Sequence, residues 1–558
     1  MRRLEAFAST RRSQFHGRPH RLAPGTSLLV STALVGFVLA ALKAWWAPIT
    51  TDEAWSLNYW VRRGPLFIWT DYTESNNHLL NTLAMWAVAH SFGESEISLR
   101  IPGLMGNAAF LGGAILLARQ LIERSSLRLA FVAVAACHPY LVDFGALARG
   151  YALGMGFLFL ALAGLCAAVH AEARGTPPSP RSLGLASLGL GLAVASVPIM
   201  VQPAAAVAVI YLALTREWRS RAGSGLRLAL VLPGVAVVAA TYAGVVGKMS
   251  RQRFYFGAHD WSESVRSLAS LLAYQWPVSS KPFDAARDAG ATGASGLDAA
   301  LPLLGITFLN LAVAARLVRE PTRRSASLPG LALAGVVVLL AIDHAVFGLP
   351  LPRDRTWLAV VPLFLLASFV SADALAGRLR GHAGKTIGLA AAGASFLGLF
   401  LLFRSFDFMA YREWPEDAPL REVIAILRGS GAADAPAVSL EFPWPMEAPL
   451  IYYEQREGGR KLELRSKLPE QDADADYLLA QGAAAKQPHV RQELVRDYPR
   501  SGVTLYRRQR TGGTPEAADP RFAEALVVAA LAHLRLPQES GAKLPHSLGV
   551  ETLLPQAQ

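Results

Sequence analysis

The chain has 558 residues, of which 52% are hydrophobic and 17% charged, and its formal net charge is +12. It is too apolar and too sparsely charged for an ordinary soluble protein, which implies a polytopic α-helical membrane protein. The basic residues lie in short clusters between apolar runs, the pattern of cytoplasmic loops rather than of a nucleic-acid surface. Cys137 and Cys166 both lie in apolar segments, which excludes a disulfide framework or a cysteine metal cluster.

Residues 1–25 form a basic N-terminus, with Arg2, Arg3, Arg11, Arg12, Arg18 and Arg21, which the charge bias places in the cytoplasm. The apolar run 26–42 is long enough to span a bilayer, and Trp45 and Trp46 follow as an outer-interface belt, favouring an uncleaved first span. An outer loop near 47–98 comes next and contains TDEAW (Thr51 to Trp55) and SNNHLL (Ser75 to Leu80). Within it, 78–91 has helical apolar spacing but too little length to cross, and fits a helix lying on the membrane surface.

Further apolar runs lie near 99–117, 127–142, 150–169, 183–197, 201–214, 226–246, 301–318, 328–349, 357–371 and 387–403. Arginines cluster at alternate ends, including Arg119, Arg124, Arg174, Arg181, Arg216, Arg316 and Arg378. Length and charge together predict about eleven spans with the N-terminus inside, making 26–405 one transmembrane domain. The connection 247–298 is a second long outer loop, and a loop of that length is usually functional or disordered.

Residues 406–510 have lower apolar density, more prolines and mixed charge. They predict a small extracytoplasmic α/β domain, with strands near 438–441, 477–480 and 503–506 and helices near 419–427 and 446–454. Residues 511–558 read as a linker, an amphipathic helix near 521–534 and a polar tail.

On this topology Asp52, Glu53, His78, Arg100, Arg149, Arg353 and Arg355 all fall at the outer face, where one pocket can use them together. Carboxylates can take a proton from an attacking hydroxyl, and arginines can neutralise a phosphate. Each residue also has a structural use when taken singly. Asp52 and Glu53 read as solvated loop charges, Arg149 as a snorkelling span end, and His78 beside Asn76 and Asn77 as a helix cap. Arg353 and Arg355 read as a turn self-paired around Asp354, and Arg100 as a span anchor. Asp343 and His344, near the outer end of 328–349, are the intramembrane ionisable pair that a proton-coupled transporter would need. No HExxH, CxxC or GxxxxGK pattern points to zinc, a nucleotide or another cofactor.

TDEAW after the first run, SNNHLLNTL followed by FGESEISLRIPGLMGN, and HPYLVDFGALARGYALG resemble the C-type (GT-C) integral membrane glycosyltransferases, specifically the group that includes the protein mannosyltransferases and the lipid A aminoarabinose transferase. The resemblance spans roughly the first 170 residues, and more loosely the many-span layout with an outer C-terminal domain. It implies that the acidic pair Asp52 and Glu53 is catalytic, with Asp52 as the base and Glu53 beside it, and that Arg149, Arg353 and Arg355 contact the donor phosphate. His78, Asn77 and Tyr151, from the same motifs, join them as substrate-binding residues. Relatives often have an acid where this chain has Leu147; Asp143, one turn earlier, is the candidate to cover that face. That departure leaves metal use and acceptor geometry open.

The resemblance further implies a polyprenyl-phosphate sugar as donor and an acceptor hydroxyl of unknown origin, on a lipid, glycan or protein. The active site would face outward from the plasma (inner) membrane. Fixed guanidiniums can stabilise a monophosphate leaving group without a metal. A transporter or lipid flippase, or an inactive relative that binds lipid-linked sugar, are the competing functions.

Overall fold

The computed structural model describes residues 24–72, 76–176, 178–215, 224–249, 257–274, 295–379, 382–429, 436–456, 461–467, 475–481 and 492–508. These divide into two compact units at Arg421/Glu422. The amphipathic helix and tail expected beyond residue 510 lie outside the described residues, as does most of the second outer loop.

The first unit is helical. Among the described residues, six helices are long and apolar enough to cross a membrane: Gly25–Trp46, Glu96–Leu121, Gly150–Ala173, Gly225–Tyr242, Pro321–Phe347 and His382–Phe403. Ser125–Cys137 and Pro139–Gly145, bent by 53°, make a seventh if taken as one span. The bend falls where Pro139 removes a backbone donor. Shorter helices, including Pro180–Ser196, Val201–Leu214 and Val361–Ala376, occupy the remaining apolar runs. The chain is thus a multi-pass helical membrane protein, with several of its apolar runs folded into helices shorter than a full crossing requires. Val231, Leu232, Val235, Phe396, Leu397 and Phe400 are exposed on two of the long helices, on faces that a bilayer would cover.

Small residues let the central helices approach closely, as membrane helix pairs require. A Cβ at Gly156 would overlap the Gly106 carbonyl, which ties Glu96–Leu121 to Gly150–Ala173. The first outer loop supplies short helices at Thr51–Trp55 and Pro65–Thr70, then the 14-residue helix Leu79–Phe92, which coincides with the stretch expected to lie along the membrane surface.

The second unit is built on five strands: β1 Val438–Pro443, β2 Leu462–Lys467, β3 Tyr477–Gln481, β4 Gln492–Tyr498 and β5 Val503–Arg508. They form one sheet of order β2-β1-β3-β5-β4. β1 pairs in parallel with β2 and β3, and β5 runs antiparallel to β3 and β4. The helix Glu447–Arg456 makes the crossover that parallel β1 and β2 need. β2 and β4 fall outside the strands expected from sequence, because their polar, charge-rich stretches lack a clear apolar alternation. The first compact unit runs to Arg421, and Tyr411 and Trp414 are buried in its core.

Candidate active site

The helix Thr51–Trp55 has only five residues, too few to hold its own shape. Side chains from elsewhere fix it. Thr50 and Glu53 form a capping box, and the Asp417 carboxylate accepts the Thr51 N–H at 2.6 Å and the Thr51 hydroxyl at 2.9 Å.

Glu53 is buried and its oxygens are occupied. Oε1 accepts from Arg100 Nε at 2.9 Å and from the Ala148 N–H at 2.7 Å, while Oε2 accepts from Arg100 Nη2 at 2.8 Å and the Thr50 N–H at 2.9 Å. These bonds tie the loop to the spans. Arg100 also donates to the Ala44, Ala47 and Pro48 carbonyls, closing the end of the first span. Its use is that of an anchor.

Asp52 points elsewhere. Its Oδ2 lies 3.3 Å from Arg149 Nη2 and 3.3 Å from Arg355 Nη1. Three distant stretches of sequence thus meet at one carboxylate. Arg149 precedes the helix Gly150–Ala173 and is buried, with Nη1 near the Ser56 hydroxyl at 3.4 Å and the Asn76 carbonyl at 3.3 Å. Its Nε has no hydrogen-bond partner among the described residues. Gly150 is required beside it, since a Cβ there would overlap the Ser196 carbonyl.

His78 Nδ1 accepts the Gly150 N–H at 3.1 Å, and its Nε2 lies 3.3 Å from Arg149 Nη2. Burial, then Arg149 and Arg355, push the imidazole well below the usual histidine range, so it is neutral. With Nδ1 accepting, the proton belongs on Nε2. Two N–H donors then face each other, and an anion is the group that satisfies both. Tyr151 packs its ring against His78 at 5.1 Å and Phe144 at 5.1 Å.

The two arginines of PRDRTW part company. Asp354 has φ +47°, a left-handed conformation that Asp tolerates better than most residues. Arg353 pairs with Glu263 at 3.0 Å and Asp354 at 3.3 Å, whereas Arg355 reaches Asp52 and lies 5.4 Å over the Trp414 ring. The Arg353 charge is thus paired with Glu263 and Asp354, and that of Arg355 with Asp52. The Asn77 amide nitrogen donates to the Ile68 and Asp71 carbonyls at 3.0 and 2.9 Å and so closes a turn, while its Oδ1 has no hydrogen-bond partner among the described residues. Asp143, the candidate to cover the Leu147 face, instead pairs with Lys43 at 2.7 Å and accepts from the Tyr274 hydroxyl at 2.9 Å.

The segment 411–417, YREWPED, forms a wall of this site, although its place in the sequence suggests the C-terminal domain. Burial and the neighbouring Asp354 push the Glu413 carboxyl up to about 7, against the pull of Arg412 and Arg355. Burial does the same to Glu416, also to about 7, and burial with Glu416 alongside raises Asp417 well above the usual carboxylate range. Acids interleaved with Tyr411 and Trp414 soon after the last span are the signal that could have found this wall. Asp343 accepts from Gln202 at 2.9 Å and His344 meets the Leu349 carbonyl at 2.9 Å, both at a helix end.

No protein-family model and no curated protein matches the chain. Among solved structures it is similar to ArnT from Cupriavidus metallidurans bound to undecaprenyl phosphate, at 14% identity and a TM-score of 0.46, over 88% of this chain and 99% of that one. The apo state of the same protein gives 12% identity and a TM-score of 0.45 over the same shares. The Archaeoglobus fulgidus oligosaccharyltransferase gives 12% identity and a TM-score of 0.40, over 79% of this chain and 64% of that one.

Proposed function

We propose that the protein is a glycosyltransferase that moves a sugar from a polyprenyl-phosphate donor to an acceptor hydroxyl at the outer face of the membrane. The observation that carries this reading is the meeting of Asp52 with Arg149 and Arg355, with the Nε2–H of His78 turned toward Arg149 and Arg149 Nε left without a hydrogen-bond partner among the described residues. A phosphate entering among these groups would satisfy the facing donors of Arg149 and His78. It would also compete for the guanidiniums now turned toward Asp52 Oδ2, leaving that oxygen to take a hydroxyl proton.

In the proposed step, Asp52 removes the acceptor proton as the acceptor oxygen bonds to the anomeric carbon. The bond from that carbon to the phosphate oxygen breaks, and its electron pair leaves on the lipid phosphate, where Arg149, Arg355 and His78 stabilise it. A single displacement inverts the anomeric centre. Incubating the purified protein with a panel of polyprenyl-phosphate sugars and candidate acceptors tests the assignment. Released lipid phosphate with one donor supports it; binding without release across the panel favours an inactive lipid-sugar binder.

A further inference from the structure

We infer that Asp417 is a positioning residue for Asp52, holding the base in register through the backbone of Thr51. This rests on the proposed role of Asp52. The residues on both sides of Asp52 are clamped by carboxylates: Glu53 by its own bonds to Arg100 and the Ala148 N–H, and Thr51 by Asp417. Asp417 is buried and uses one oxygen on the Thr51 N–H and the other on its hydroxyl, so it constrains both main chain and side chain. The Thr51 N–H is one of the first-turn donors that a helix cannot satisfy internally. In a five-residue helix continued by the wider turn Ser56–Trp60, such tertiary bonds set the direction of the whole segment.

The wall that carries Asp417 also seats Arg355, whose guanidinium lies over Trp414. One segment therefore orients the base through Thr51 and its arginine partner through Trp414. Misplacing a reacting group by about 1 Å can cost on the order of 100-fold in rate, so a loosened turn is costly even with every site residue present.

The test uses the full-length protein carrying Asp417→Ala or Asp417→Asn, with single-turnover transfer, donor affinity and amide exchange measured together. Asp417→Ala should lower transfer by roughly 10- to 100-fold with donor affinity unchanged, and should speed exchange in the peptide covering 51–60 alone. Asp417→Asn, whose amide oxygen can still accept the Thr51 N–H, should recover most of the rate. In an Asp52→Asn background, Asp417→Ala should cost little more. Parental exchange in 51–60, parental transfer by Asp417→Ala, or faster exchange through the whole chain with donor binding lost would each overturn the inference. Near-parental transfer by Asp52→Asn would remove the base assignment instead, while the exchange data would still report whether Asp417 fixes the turn.

Discussion

Arg149 Nη2 lies 3.3 Å from His78 Nε2, two buried donors turned toward one another. Arg149→Lys keeps the charge but loses the planar fork that matches phosphate oxygens. Affinity for a polyprenyl phosphate, measured by direct binding in detergent, should fall roughly tenfold or more, the equivalent of about 1.4 kcal/mol. Unchanged affinity in both Arg149→Lys and Arg149→Ala would leave Arg149 as a snorkelling span end.

Glu53 and Arg100 form a fully buried pair, and removing one partner strands the other charge. Glu53→Gln and Arg100→Ala should each destabilise the protein by roughly 3–5 kcal/mol. Thermal unfolding of the two variants in detergent checks this. A stable Glu53→Gln protein that binds donor but has lost transfer would restore Glu53 to the chemistry.

Glu413 gives a pH signature. Its folded-state value, raised from 4.5 to about 7, means that the native protein holds a proton which the unfolded chain releases at lower pH. Its contribution to stability is therefore present below 4.5 and is lost as pH rises to about 7. One such group changes stability by at most about 1.4 kcal/mol per pH unit. Across the window from 4.5 to about 7 the melting temperature should fall more in the parent than in Glu413→Gln. Equal slopes would contradict the assignment.

The arginines at alternate span ends predict an N-terminus inside and a C-terminal unit outside. Reporter fusions at Arg181 and Glu441 should therefore report opposite sides of the membrane. The same side for both would break the common outer pocket.

The helices were legible because apolar runs and arginine clusters are one-dimensional signals, and the ALARGYAL arginine and the TDEAW carboxylate, singled out by their motifs, lie 3.3 Å apart. The division of labour between Asp52 and Glu53 was not. Adjacent residues on a short helix point in different directions, and partners far along the chain, Arg100 at 47 positions and Ala148 at 95, distinguish the buried Glu53 from Asp52. Arg353 and Arg355 were likewise inseparable in sequence, because the φ of Asp354 decides which arginine meets Asp52. Asp417 was hidden by distance along the chain: its bond to Thr51 closes 366 residues of separation.

The most direct test is single-turnover transfer with saturating donor for the parent and Asp52→Asn. Asparagine keeps the size of the side chain and removes the proton acceptor, so transfer should fall by roughly two to four orders of magnitude. Donor affinity should hold or rise, since the phosphate is assigned to Arg149, Arg355 and His78 and a neutral Asn no longer competes for the two guanidiniums. Near-parental transfer by Asp52→Asn would contradict the account and take this carboxylate out of the reaction.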